Sequence, residues 1–101
     1  MQLGELVLNV RSKNAGPYWV TIDVFCGSES VYTHLQKLLS LDYVASIYQQ
    51  PEEKMKRFEL PDLHVLKFSF PRTIVQGSRF DRDMHGAQYS VLLSELEISP
   101  P

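Results

Sequence analysis

The chain has 101 residues, of which 44% are hydrophobic and 22% charged, and its formal net charge is −2. This length predicts one domain, and the apolar fraction excludes an intrinsically disordered chain because it supplies enough side chains for a core. The weak acidity argues against a general nucleic-acid binder, and a single cysteine excludes a disulfide framework or a multi-cysteine metal site. Because no basic, apolar leader or membrane-spanning run is present, we expect a cytoplasmic domain over residues 1–98, a tail at 99–101 and no membrane partner.

The first part of the chain predicts a helix, a loop and a strand. Leu3, Leu6, Val7 and Val10 follow helical spacing, which predicts a helix over residues 3–11. Asn, Gly and Pro then indicate a loop over residues 11–17. The next segment, residues 18–26, is rich in aromatic and β-branched residues on both faces, which is typical of a central strand.

The middle of the chain predicts two helices followed by two strands. Ser28 is suited to cap a helix that runs to about residue 40, and a second helix follows Asp42 and ends before Pro51. Residues 57–60 are predicted to form a short strand, and residues 63–70 a longer one.

The last part predicts a long polar loop over residues 71–83 and a final helix to about residue 96, after which Ile98 could add a terminal strand. The order of elements predicts an α+β fold. We expect a ferredoxin-like α/β sandwich, with an antiparallel sheet, helices on one face and an extra N-terminal helix. In that topology strands 18–26 and 63–70 are antiparallel neighbours, so the loops 11–17 and 71–86 should emerge at one edge of the sheet.

These two loops contain the residues that we predict to bind an anionic ligand. Arginine, lysine, hydroxyl and backbone N–H groups beside glycines suit a carboxylate or phosphate. The predicted ligand-binding residues are Arg11, Ser12, Lys13, Asn14, Gly16, Gly77, Ser78 and Arg79. Because no phosphate-loop pattern ends in Gly-Lys-Ser/Thr, no nucleotide cofactor is expected, and a solvated pair of loops is the alternative interpretation.

The titratable residues indicate a catalytic or metal site less clearly than the two loops indicate an anion site. His85 lies close to Asp83 and is the best candidate for proton transfer, although Asp83 would equally cap the last helix. The histidine spacing predicts no metal site. Cys26 ends an apolar strand face and should behave as a small buried hydrophobe. Asp23 shares its strand face with aromatic residues and must pair, for example with Lys67, or face a partner.

Three segments of the sequence carry a resemblance to known proteins. The first is Arg-Ser-Lys-Asn-Ala-Gly-Pro at 11–17 with Thr-Ile-Asp at 21–23, and the second is Phe-Glu-Leu-Pro-Asp-Leu-His at 58–64. The third joins Gly77-Ser78 to Gly-Ala-Gln at 86–88 and Leu-Ser-Glu-Leu-Glu-Ile at 93–98. Together they resemble a small bacterial family of unknown function and the small ferredoxin-fold domain of AtuA-like (acyclic terpene utilisation) proteins. The AtuA small domain has Arg-Ser-Gly-Asp-Lys-Gly in the first segment, so this chain lacks the acid and places its lysine elsewhere.

The resemblance implies a metabolic role beside a larger AtuA-like chain, in the catabolism of acids or acyl thioesters. The leading hypothesis is therefore an accessory subunit that contributes both loops to a shared anion site. One alternative is a homo-oligomeric binding module that associates through its open sheet face. The other is a stand-alone lyase or hydrolase of a small carboxylate that uses His85 or Asp83 as its base.

Overall fold

A computed structural model describes residues 1–72 and 89–101, which form an α+β fold of one four-stranded antiparallel sheet with helices. The strands are β1 (Asn9–Asn14), β2 (Trp19–Phe25), β3 (Lys56–Leu60) and β4 (Val65–Pro71). The helices are α1 (Leu3–Leu6), α2 (Glu29–Leu38), α3 (Leu41–Ile47) and α4 (Tyr89–Ser94). Single 3-10 turns at Glu52–Lys54 and Pro61–Leu63 lead into β3 and β4.

The sheet has the strand order β1-β2-β4-β3, and every neighbouring pair is antiparallel. The two predicted long strands are confirmed as central neighbours, with Ile22 opposite Phe68 and Asp23 opposite Lys67. The order strand, helix, strand, strand, helix from β2 to α4 is consistent with a ferredoxin-like arrangement. The edge beside β2, which the last strand of a ferredoxin-like chain fills, is here taken by the N-terminal strand β1.

The prediction of a helix over residues 3–11 is correct only for its first turn. Helix α1 ends at Leu6, and the chain becomes extended at Val7 before β1 begins at Asn9. The spacing of apolar residues predicted too long a helix because both a short helix and a strand bury these residues in one core. Leu3 and Val7 are buried at the short helix, whereas Val10 packs on the same core from a strand. Pairing with the central strand β2 supplies hydrogen bonds that a marginal, nine-residue helix would not gain from the rest of the fold.

Helix α2 begins directly after Ser28 as predicted, whereas α3 begins at Leu41, just before the predicted Asp42. The Ser28 hydroxyl accepts a hydrogen bond from the N–H of Val31 at 3.3 Å, which is the capping interaction expected for this residue. Helix α3 follows after Ser40 and ends before the proline at position 51. The final helix is described from Tyr89 onwards, and the earlier part of its predicted span lies outside the described residues.

The hydrophobic core lies on one face of the sheet, where the four described helices pack. The central strands contribute alternate side chains that are at most 1% exposed: Val20, Ile22, Val24, Leu66, Phe68 and Phe70. Leu3, Leu35, Val44 and Leu93 cover them from α1, α2, α3 and α4 in turn. The chain ends also meet, since the N–H of Ile98 donates to the carbonyl of Met1 at 2.9 Å. This contact and one isolated bridge between Gln2 and Glu97 replace the predicted terminal strand.

Candidate functional site

The first predicted binding segment is a strand, not a loop, and this divides its side chains between two faces of the sheet. Residues 11–14 pair with β2, so their side chains alternate. Arg11 and Lys13 are exposed, whereas Ser12 and Asn14 are partly buried. The four residues predicted to act together therefore form two pairs, one on each face.

Gly16 lies in the turn that joins β1 to β2. The turn is closed by a hydrogen bond from the N–H of Ala15 to the carbonyl of Trp19 at 2.9 Å. Gly16 has a φ of +84°, and a Cβ built there would meet no atom within 4 Å. The backbone conformation, and not a close approach by another group, therefore requires the glycine.

Arg72 falls within the predicted polar loop 71–83, but it is buried, with 8% of its surface exposed. Its N–H donates to the carbonyl of Tyr18 at 2.7 Å, and its Nη1 donates to Oδ1 of Asn14 at 2.5 Å. The guanidinium also lies over the ring of Tyr89, 5.6 Å from the ring centroid. One side chain thus joins the end of β4, the end of β1 and the start of α4.

Other contacts hold the start of α4 in the same place. The N–H of Ser90 donates to Oγ of Ser12 at 2.9 Å. The Tyr48 hydroxyl donates to the carbonyl of Tyr89 at 2.7 Å, and the ring of Tyr89 meets Phe70 edge-on at a centroid distance of 5.8 Å. The residues on either side of segment 73–88 are therefore both fixed against the partly buried side chains of β1.

The remaining predicted site residues cannot be placed on this framework. Gly77, Ser78, Arg79, Asp83 and His85 lie outside the described residues. The structure thus brings Ser12 and Asn14 to the ends of the second segment, and it separates Arg11 and Lys13 from them. The buried role of Arg72 was missed because an arginine that follows a proline at a strand end is typical of an exposed loop.

Packing, hydrogen bonding or backbone geometry accounts for the other titratable residues of the described ranges. Cys26 is 3% exposed, and burial raises the pKa of its thiol to about 11, so it is protonated at neutral pH. A ring nitrogen of His34, Nε2, lies 2.8 Å from the carbonyl oxygen of Ser99 in the tail. His64 adopts a left-handed backbone, with φ 54°, at the turn into β4. Within residues 1–72 and 89–101 no group of three or more His, Cys, Asp or Glu side chains could hold a metal ion.

The predicted pairing of Asp23 with Lys67 is confirmed on the sheet face opposite the described helices. Nζ of Lys67 lies 3.8 Å from Oδ1 of Asp23, whose side chain is 14% exposed. Along the same face, Nζ of Lys56 lies over the ring of Trp19, 5.6 Å from the ring centroid. On this face, therefore, lysine side chains lie against both the carboxylate of Asp23 and the indole ring of Trp19.

Comparison with known proteins identifies a family without giving a reaction. In the part of the chain that the structure describes, no helix has both the length and the apolar character needed to cross a membrane. No curated protein and no solved structure matches the sequence. Residues 3–97 match the family described as domain of unknown function DUF4387, and because this span covers most of the chain, the protein belongs to that family.

Proposed function

We propose that this protein is a small accessory subunit that docks on a larger metabolic protein and contributes residues 11–17 and 71–86 to a shared anion site. The observation that supports this most directly is the buried Arg72, which contacts both Asn14 and Tyr89. It fixes the two ends of segment 73–88 beside β1 and its turn. The residues at both ends of this segment, Arg72 and Tyr89, therefore lie near the end of the sheet where β1 turns into β2.

The chemistry proposed for the shared site is recognition of a carboxylate or an acyl thioester. Arg79 supplies a cation from the second segment, while the exposed cations Arg11 and Lys13 lie on the other face of β1, apart from Ser12 and Asn14. Arginine binds carboxylates through two parallel hydrogen bonds, which suits recognition of a small acid. The resemblance to the AtuA small domain supports an AtuA-like chain as the larger subunit.

Co-expression with an AtuA-like chain encoded by the same genome tests the docking. We expect the two chains to elute together in size-exclusion chromatography, at a mass that light scattering assigns to a complex. Separate elution at micromolar concentrations of both chains would refute the accessory-subunit proposal.

A titration of the purified complex with butyrate and with butyryl-coenzyme A tests the anion site. We expect Arg79→Ala to weaken binding by about tenfold or more, as expected for the loss of a charge-assisted contact, without affecting co-elution. Lys37→Ala is the matched control because Lys37 is an exposed cation in the last turn of α2. Turnover of a small carboxylate by the isolated chain, abolished by His85→Ala, would favour the stand-alone enzyme instead.

A further inference from the structure

The sheet face opposite the helices carries a surface with a distinctive composition, which we call the open face. Register places three rows of side chains across β1, β2, β4 and β3 on this face. These rows are Lys13–Thr21–Ser69–Lys56, Arg11–Asp23–Lys67–Phe58 and Asn9–Phe25–Val65–Leu60, with Trp19 and Pro71 beyond the first. The described helices all contribute to the core on the other face, so none of them packs here.

Charge is segregated onto the open face. It carries four cations, Arg11, Lys13, Lys56 and Lys67, against the single carboxylate of Asp23. The whole chain nevertheless has a formal net charge of −2, so the rest of the protein carries an excess of acid. Because cations that are crowded on one face repel one another, this distribution favours contact with a negatively charged surface.

One end of the open face is apolar. Phe25, Val65 and Leu60 form the row at this end, and Phe58, which is 45% exposed, lies in the next row beside Leu60 on β3. Val65 is only 4% exposed, although it does not belong to the main core cluster. An apolar cluster flanked by charged and polar residues is typical of a protein-docking surface.

The dimensions of the open face suit such a contact. The four strands have five to seven residues each. At about 4.8 Å between strands and about 3.4 Å per residue, they make a plane of roughly 400 Å². A standard interface buries about 800 Å² on each partner, so the open face can supply about half of one side of such an interface.

From these observations we propose that the open face is the surface by which this chain docks on the larger subunit, and that the matching surface is acidic with an apolar patch. This inference rests on the proposed function. A second copy of the chain is a poorer occupant, because a two-fold contact would bring the cations of both copies together. Single-stranded nucleic acid fits less well, because Lys56 covers Trp19, Phe25 is partly buried and Asp23 lies at the centre.

The test compares two double variants of the chain for binding to the co-expressed AtuA-like chain. Lys56→Glu/Phe58→Glu changes exposed positions of the open face on edge strand β3, which β2 and β4 separate from β1. Lys37→Glu/Tyr43→Glu introduces the same change of charge at exposed positions of α2 and α3. Circular dichroism melts first establish that both variants fold.

We expect the open-face variant to raise Kd at least about 100-fold, since like-charge contacts in an interface cost several kcal/mol, and the control to change Kd less than about threefold. Binding of the wild-type chain should also weaken as salt is raised. A complex that tolerates the open-face variant would overturn this inference and leave the accessory-subunit proposal standing. Failure of the wild-type chains to associate would overturn both.

Two measurements on the isolated chain test the other occupants. Light scattering that shows a dimer, abolished by Lys56→Glu/Phe58→Glu, would assign the open face to a second copy and refute the inference. Binding of a fluorescent single-stranded oligonucleotide that the same variant abolishes would assign it to nucleic acid and would equally refute it. A monomer that does not bind the oligonucleotide is the result we expect.

Discussion

The buried contact between Arg72 and Asn14 should make a measurable contribution to the free energy of unfolding, because the donor is charged and almost fully removed from water. Arg72 is 8% exposed and donates to Oδ1 of Asn14 at 2.5 Å. Hydrogen bonds to charged groups contribute about 1.5–3 kcal/mol, and a cation over an aromatic ring adds about 0.5–2 kcal/mol. Replacing Arg72 by methionine keeps the length of the stem, leaves Asn14 without this donor and uncovers the ring of Tyr89.

We therefore expect Arg72→Met to lower the free energy of unfolding by about 2–4 kcal/mol, which corresponds to a fall in Tm of roughly 10–25 °C for a domain of this size. Urea unfolding followed by circular dichroism and by the fluorescence of Trp19 provides the measurement. A double-mutant cycle with Asn14→Ala then isolates the pair, and we expect a coupling of about 1.5–2 kcal/mol.

The cycle has a matched control within the same sheet. The Arg57 and Glu59 side chains lie 2.6 Å apart on β3, with 18% and 40% of their surfaces exposed, and should couple by about 0.5–1 kcal/mol. If the changes at Arg72 and Asn14 add to within about 0.5 kcal/mol, the buried contact does not anchor the end of β1. The structural basis of the proposed shared site would then be lost.

Further predictions test other parts of the fold. The protonated, buried Cys26 should react with a disulfide reagent at pH 8 about 100-fold more slowly than a free thiol, and urea should restore the reaction. The pKa of the folded Cys26 thiol, about 11, lies above the ordinary 9.0, so unfolding releases a proton at pH 9–11. The free energy of unfolding should therefore fall by up to about 2–3 kcal/mol as pH rises through this range, and it should fall less in Cys26→Ala. Tyr48→Phe, which removes the hydrogen bond to Tyr89, should cost about 0.5–1.5 kcal/mol in urea unfolding. Ser28→Ala should cost about 1 kcal/mol through the lost helix cap, and unchanged stability would contradict that cap. Gly16→Ala should cost about 1–2 kcal/mol because of the positive φ alone, and Gly16→Asn, which tolerates a left-handed backbone, should cost less if backbone strain is the cause.

The sheet could be predicted from the sequence where local pattern and tertiary environment agree. The aromatic and β-branched residues between Trp19 and Phe25 fit only a strand, and the antiparallel neighbourhood with β4 followed from the order of elements. The N-terminal segment was harder, since the spacing of Leu3, Val7 and Val10 fits a helix as well as a short turn followed by a strand. Pairing with β2 selects the strand over the helix, and this pairing cannot be inferred from a short stretch of sequence.

For the candidate site too, the sequence predicts the chemistry of single residues better than it predicts which residues they contact. The chemistry of Arg11 to Asn14 was recognisable as polar and cationic, but their division between two faces depends on the strand that they form. The pairing of Asp23 with Lys67 could be anticipated because a buried carboxylate needs a cation and the topology places one opposite. The burial of Arg72 could not, because it depends on Asn14 and Tyr89, 58 residues earlier and 17 residues later in the chain.

The strand position of Arg11 and Lys13 links the two proposals made for this protein. If these residues had formed a loop, as the sequence suggested, they would have belonged only to the polar edge at the end of the sheet. As part of β1 they project onto the open face, in line with Asp23 and Thr21 of β2. A partner that covers the open face would therefore contact the same strand whose other side, through Ser12 and Asn14, holds the ends of segment 73–88. Docking and the arrangement of the shared site would then be coupled through one edge strand, so substitutions on either side of β1 should affect both properties.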